Sequence, residues 1–218
     1  MIDVPAAGGG RRIVVIGAGG HAKVVIECLR FAGWDVIGCT DADPTPRTCA
    51  GAPVIGSDAM LAEVRGQGVE HAFCALGSNA VRERVGQSLI DQGFAVPAVR
   101  GPGANLSSSA RIGAGTILMP GSTINVESMI GALVIINTNA SVDHDGMIGR
   151  AAHIGPGSAL AGEVWVGARS FIATGSSVIP RIRIGDDVVI GAGSVVIRDV
   201  PDRVVAFGNP ARVHRSLD

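Results

Sequence analysis

Residues 117–167 read ILMPGSTINVESMIGALVIINTNASVDHDGMIGRAAHIGPGSALAGEVWVG. An aliphatic side chain returns in them at every sixth residue: Leu118, Ile124, Ile130, Ile136, Val142, Ile148, Ile154, Leu160 and Val166. Followed outward, the register holds from Leu106 to Val196, sixteen positions without a miss. The position four residues further on is always small or β-branched, from Ala110 to Val200. An α-helix repeats every 3.6 residues and a half-buried strand every two, so a period of six is neither; it marks a solenoid of repeats.

One large and one small inward position per six residues describe one flat side of a narrow prism. Three sides close a coil of eighteen residues, and coils stack as parallel strands about 4.8 Å apart. Trp165 and Phe171 are the only aromatics in the repeat, and both fall on the outward sixth position, where a subunit or ligand interface is expected. The pattern resembles the hexapeptide-repeat acyltransferases, which implies a left-handed parallel β-helix.

The rest of the composition fits such a fold. The 218 residues include 32 Gly, and 47% are apolar, with no G-X-Y period, which excludes collagen and a disordered Gly-rich chain. Charged residues are 17% and the formal net charge is −1, which argues against nucleic acid as a partner. No apolar run reaches 18 residues and the start, MIDVPAAGGGRR, has no apolar core, so neither a membrane span nor a secretory signal is expected. Cys28, Cys39, Cys49 and Cys74 have no CxxC spacing and read as free thiols of a cytoplasmic protein without a bound metal.

Residues 12–100 have a different texture. Strands are expected at Arg12–Ile16, Asp35–Thr40 and Glu70–Leu76, with a short one near Ala95–Val99. Helices are expected at Lys23–Phe31, near Ser57–Arg65 and at Asn79–Asp91. Between the first strand and helix lies Gly17-Ala18-Gly19-Gly20-His21-Ala22, a G-x-G-x-x-A turn, with Asp41 ending the next strand. Such glycines let a phosphate approach the backbone, and a helix N-terminus favours the anion. This is a small Rossmann-like parallel α/β domain. The expected order is a flexible tail over 1–11, this domain over 12–100, the β-helix over 101–207 and a C-terminal tail over 208–218.

Within the repeat, chemistry concentrates at Asn137-Thr138-Asn139-Ala140-Ser141-Val142-Asp143-His144-Asp145. His144 falls at a corner of the prism and points outward between two acids. A carboxylate can fix an imidazole tautomer and raise its basicity, as a general base requires, and either Asp143 or Asp145 is placed to do so. Gly162 follows His144 by one coil. It leaves room there for a thin ligand, with an amide for a thioester carbonyl and its oxyanion. Glu127, Asp145 and Glu163 stack in one column. No cysteine follows Cys74, so transfer on the β-helix is direct, without a thioester on the protein.

GAGGHAKVV, ALGSNAVRERV, INTNASVDHD, AAHIGPGSALAG and FGNPARV, in this order, resemble the nucleotide-sugar N-acetyltransferases of 4-amino sugars, the bacillosamine- and perosamine-type enzymes. The sialic acid O-acetyltransferases are related. The resemblance implies a homotrimer using acetyl-CoA as cosubstrate and a UDP- or GDP-linked amino deoxysugar as acceptor. It implies His144 as the catalytic base and Asp145 as its orienting acid. It assigns Gly17, Gly19, Gly20, His21, Asp41, Ser78, Asn79 and Arg82 to the nucleotide, and Asn137 and His153 to the sugar and acetyl sites. Gly162, Asn209 and Pro210 would lie beside CoA. Three rival readings are a sugar O-acetyltransferase, a non-enzymatic nucleotide-binding β-helix and a dinucleotide-dependent reductase. The first domain is too small for the last.

Overall fold

The computed structural model describes residues 11–217, which fall into two compact units, 11–101 and 102–217. The tail expected over 1–11 lies, apart from Arg11, outside the described residues.

The first unit is an α/β domain. Its elements are β1 (Arg12–Ile16), α1 (Gly20–Phe31), β2 (Asp35–Thr40), β3 (Thr48–Cys49), β4 (Ala52–Gly56), α2 (Leu61–Gly66), β5 (His71–Cys74) and α3 (Asn79–Asp91). The sheet order is β3-β4-β2-β1-β5, parallel except for the β3–β4 hairpin. β1 lies inside the sheet, and Ile13, Val14 and Val15 are fully buried, which is why RIVVI is apolar without alternation. From α1, Ala22, Val25, Ile26 and Leu29 are buried. The helix begins three residues before Lys23, so the end of the glycine turn is its first turn. β3 and β4 were not expected, because Pro46, Gly51 and Pro53 read as loop. The strand expected near Ala95–Val99 is a single bridge between His71 and Ala95, followed by a two-residue strand at Val99–Arg100. All four cysteines are free and buried.

The second unit is a β-helix. Each two-residue strand pairs in parallel with the one eighteen residues away: Thr123 with Asn105 and Ser141, Met129 with Arg111 and Met147, Ile135 with Ile117 and His153. The sixfold aliphatic positions form its core; Leu118, Ile136, Val142, Ile154, Val166 and Ile190 are all at 0% exposure. At the small position a buried hydroxyl clips successive coils. Ser170 Oγ donates to Gly185 O at 2.6 Å and accepts from Val188 N at 2.9 Å, and Thr116, Ser128 and Ser158 repeat the pattern.

The corner glycines serve two ends. Those at the fourth repeat position, such as Gly157 at φ 65°, are left-handed. Those at the second position are not; a Cβ on Gly113 would meet the backbone of Gly131 and Ala132 in the next coil at 2.5–2.7 Å. Non-glycine residues also take the left-handed fourth position, among them Glu127, Asp145, Glu163 and Arg181. Much of the segment expected as a tail over 208–218 belongs to the sheet: Ala211–Ser216 pairs antiparallel with Val204–Gly208, and the two form a hairpin. Alternation is lost there because one strand lies on the outermost edge, with five of its six residues exposed.

Candidate active site

His144 sits at the corner between the strands Ser141–Val142 and Met147–Ile148, with its side chain 49% exposed. The residue is held from three sides. Asp145 Oδ2 lies 2.8 Å from Nδ1; a carboxylate accepts only, so Nδ1 carries the proton and the Nε2 lone pair is left for chemistry. Asp143 Oδ1 accepts the His144 amide at 2.8 Å and the Asn125 Nδ2 proton, also at 2.8 Å. Asp145 therefore holds the ring and Asp143 holds the backbone. Beneath the corner, Ser128 Oγ donates to Asp143 O at 2.8 Å and accepts from Gly146 N at 3.2 Å. Asn125 and Ser128 were not singled out in the sequence, although counting back one coil from Asp143 and Gly146 reaches both.

The third side is Gly162. A Cβ there would land on His144 Nε2 and Cε1, so the imidazole itself fills the room expected for a ligand. The Gly162 position is a seat for the imidazole. The Asp145 hydrogen bond, and then the charges of Asp143, Asp145 and Glu163, raise the proton affinity of His144 above that of an ordinary imidazole. Asp143 is held below the usual carboxylate range, first by Asn125 and then by the His144 amide. Glu163 does not stand as a bare member of a carboxylate column, for Arg181 Nε donates to its Oε1 at 3.1 Å.

Asn137 and His153 are brought together: Asn137 Nδ2 donates to His153 Nε2 at 2.9 Å. The His153 ring packs against Phe171, centroids 4.9 Å apart, so that outward aromatic is half-buried. Trp165 lines an apolar groove of about 390 Å³ with Met129 and Met147. Asn209 and Pro210 form the tip of the terminal hairpin, beside a stacked Phe207–His214 pair with centroids 3.5 Å apart.

In the α/β unit, Gly17 has φ 105°, and a Cβ on it would meet Leu76 at 2.9 Å and Ala75 O at 3.1 Å, so packing alone demands glycine. Gly19 and Gly20 have nothing within 4 Å of a notional Cβ; they leave open space at the start of α1, where no side chain caps the helix. That start suits an anion. Asp41 Oδ2 accepts the Ala18 amide at 2.9 Å and ties the glycine turn to the end of β2. The Asp43 amide, then that of Ala18, then Arg47 hold its carboxyl below the usual range.

Arg82 is buried in the α/β unit. It is 1% exposed and donates to Leu76 O, Gly77 O and Asn79 Oδ1 at 2.9–3.1 Å. The sequence offers no signal separating this buried arginine from a phosphate-binding one. Burial, then Arg82, pushes His21 down to about 4, so its imidazole is neutral. Ser78 is the exposed residue preceding α3.

The chain thus combines a small α/β domain with a hexapeptide-repeat β-helix that carries a carboxylate-held imidazole at one corner. Residues 12–89 match the PglD N-terminal domain, and residues 163–198 match the bacterial transferase hexapeptide (six repeats). PerB from Caulobacter crescentus, solved with CoA and GDP-perosamine, is 48% identical over 95% of this chain and 98% of that one, with a TM-score of 0.91. The acetyltransferase domain of PglB from Neisseria gonorrhoeae, solved with acetyl coenzyme A, is 35% identical over 94% of this chain and 100% of that one, with a TM-score of 0.90. WeeI from Acinetobacter baumannii is 25% identical over 93% and 99%, with a TM-score of 0.83. A curated relative, the uncharacterized protein L142 of Acanthamoeba polyphaga mimivirus, is 31% identical over 77 residues, which are 35% of this chain and 15% of that protein. The chain belongs to the hexapeptide-repeat acetyltransferases that carry a PglD-type N-terminal domain. No helix among the described residues is long and apolar enough to cross a membrane.

Proposed function

We propose that this chain transfers acetyl from acetyl-CoA directly to the 4-amino group of a GDP-linked 4-amino-4,6-dideoxysugar, with His144 as general base. The observation that carries the reading is the His144 imidazole held between Asp145 and Gly162 with its Nε2 lone pair free. GDP is favoured over UDP by the 48% identity to a protein solved with GDP-perosamine.

The neutral amine attacks the thioester carbonyl, and the tetrahedral intermediate carries an oxyanion. His144 Nε2 takes the proton that the nitrogen sheds. The intermediate collapses with loss of the CoA thiolate, which recovers a proton from the imidazolium. Asp145 keeps the ring oriented and stabilises its charged form. Gly19, Gly20 and the uncapped start of α1 receive the diphosphate, with Asp41 and Asn79 fixing the turns on either side. Asn137 and His153 contribute to the sugar and acetyl sites, and the hairpin at Asn209-Pro210 borders CoA.

The chain assembles as a homotrimer in the cytoplasm. Met129 and Met147, 55% and 48% exposed, beside Trp165 form the apolar surface a second copy covers. The reading is tested by mass spectrometry of reactions containing acetyl-CoA with GDP- or UDP-linked 4-amino sugars, or with sialic acid. An acetyl group gained at nitrogen on the GDP-sugar is the expected result; acetyl on a hydroxyl alone overturns it. Native mass spectrometry reads the trimer.

A further inference from the structure

Eighteen residues above Asp145 stands Glu163, and eighteen above that, Arg181; all three share the left-handed corner position. Glu163 N donates to His144 O at 2.9 Å, and Arg181 N donates to Gly162 O at 3.1 Å, so these rungs lie directly over the base. Glu163 follows Gly162 in the chain, and Gly162 abuts Nε2. Glu163 therefore stands one rung over the corner that carries the ring, and its charge adds to those that favour the protonated imidazole. Its carboxylate is also the acceptor of the Arg181 guanidinium at 3.1 Å.

We propose that Glu163 and Arg181 form a two-step control on the proton affinity of His144, in which Glu163 acts on the ring directly and Arg181 acts only by neutralising Glu163. The other acids facing the imidazole are Asp143 and Asp145 on its own corner, with Glu127 one coil below in the same column. Of these, Asp143 and Asp145 are committed by hydrogen bonds to the His144 amide and ring. Glu163 is the one whose charge is answered by a base on a neighbouring coil. An ion pair with side chains 48% and 78% exposed is loose and salt-sensitive, so the control is graded. In the proposed reaction it sets how much of the enzyme carries a neutral base at a given pH; this role rests on that reading, the electrostatic coupling does not.

The test is an NMR titration of the His144 ring carbons in the full chain, assigned by loss of the signal in His144→Asn. Glu163→Gln lowers the His144 midpoint by about 0.3 pH unit, as expected for one unit charge a few ångströms away in a wet site. Arg181→Gln raises it by about the same amount. In the double variant, Arg181→Gln adds nothing to Glu163→Gln, and all differences shrink in 1 M salt. Equal effects of Arg181→Gln with and without Glu163, or no shift in either single variant, overturn the proposal. The acid limb of kcat is measured on the same proteins. A limb that follows the NMR midpoints supports His144 as the base; a limb that stays fixed while the midpoints move overturns that role and leaves the coupling intact.

Discussion

Asp145 reaches His144 Nδ1 at 2.8 Å from a left-handed backbone, φ 57°. The fourth repeat position, which five other hexapeptides fill with glycine, is thus occupied here by the side chain that holds the imidazole. Left-handed geometry costs an L-residue about 1 kcal/mol or more, less for Asp and Asn. Stability and catalysis should therefore separate here. Asp145→Gly is expected to hold or raise the melting temperature while kcat falls at least about tenfold. Asp145→Asn keeps the backbone and the ring contact but loses the charge, and its acid limb should shift down toward the ordinary imidazole range. Thermal melts and pH–kcat profiles check both; a kcat unchanged in Asp145→Gly would remove the orienting role.

Acid activity follows the same geometry. A base must be neutral to accept a proton, and Asp145 favours the charged ring. The acid limb of kcat is therefore expected above 6.5, the unperturbed imidazole value. A limb at or below that value would contradict the hydrogen bond as drawn.

Gly162→Ala tests the seat of the base. The glycine backbone is not left-handed, so alanine fits the main chain, yet its methyl would coincide with the imidazole. The ring is half-exposed and can swing away. The expected outcome is a loss of at least about tenfold in kcat with the melting temperature within a few degrees of wild type, because the core is untouched. A large loss of stability with normal turnover would mean that the coil, and not the ring, makes room.

The sixfold register alone placed Leu106 to Val196 correctly, because a buried prism side leaves no other choice of side chain. β1, β2 and α3 were legible to the residue, since RIVVI, DVIGCT and the Asn79–Asp91 stretch each carry one unmixed pattern. The β3–β4 hairpin was not, for its two short strands sit among prolines and glycine and are held by pairing with β2. At the site, spacing brought His144 and Gly162 together but not the contact between them. Which way a corner side chain turns depends on the φ of Asp145, and a coil count carries no dihedral angle. The burial of Arg82 was hidden for a related reason: Leu76 O, Gly77 O and Asn79 Oδ1, which it donates to, are not marked by charge in the sequence.

The serine ladder makes a prediction about stability. Ser170 Oγ is fully buried and joins Gly185 O to Val188 N. Ser122 Oγ is equally buried and finds no hydrogen-bond partner among the described residues. Removing a bridging hydroxyl strands backbone groups and costs about 1–3 kcal/mol; removing an unsatisfied one relieves a penalty. Urea denaturation is expected to show Ser170→Ala destabilised by that amount and Ser122→Ala unchanged or more stable. Equal losses in the two would refute the ladder as the source of coil-to-coil cohesion.

His21 gives the α/β unit a defined response to acid. Its folded value is pushed down to about 4, against 6.5 when unperturbed, first by burial and then by Arg82. Between those values the unfolded chain binds a proton that the folded chain does not, so stability falls as pH drops from 6.5 toward 4 and levels off below. Full expression of the shift corresponds to on the order of 3 kcal/mol. His21→Leu removes the titration and keeps a side chain of similar bulk on α1. Its melting temperature should therefore fall less than that of wild type between pH 7 and pH 4.5, with the difference concentrated in the unfolding of residues 12–91 as followed by hydrogen exchange. Parallel losses in the two proteins would place the acid sensitivity elsewhere, and a gain confined to the β-helix would show that His21 does not act on its own unit.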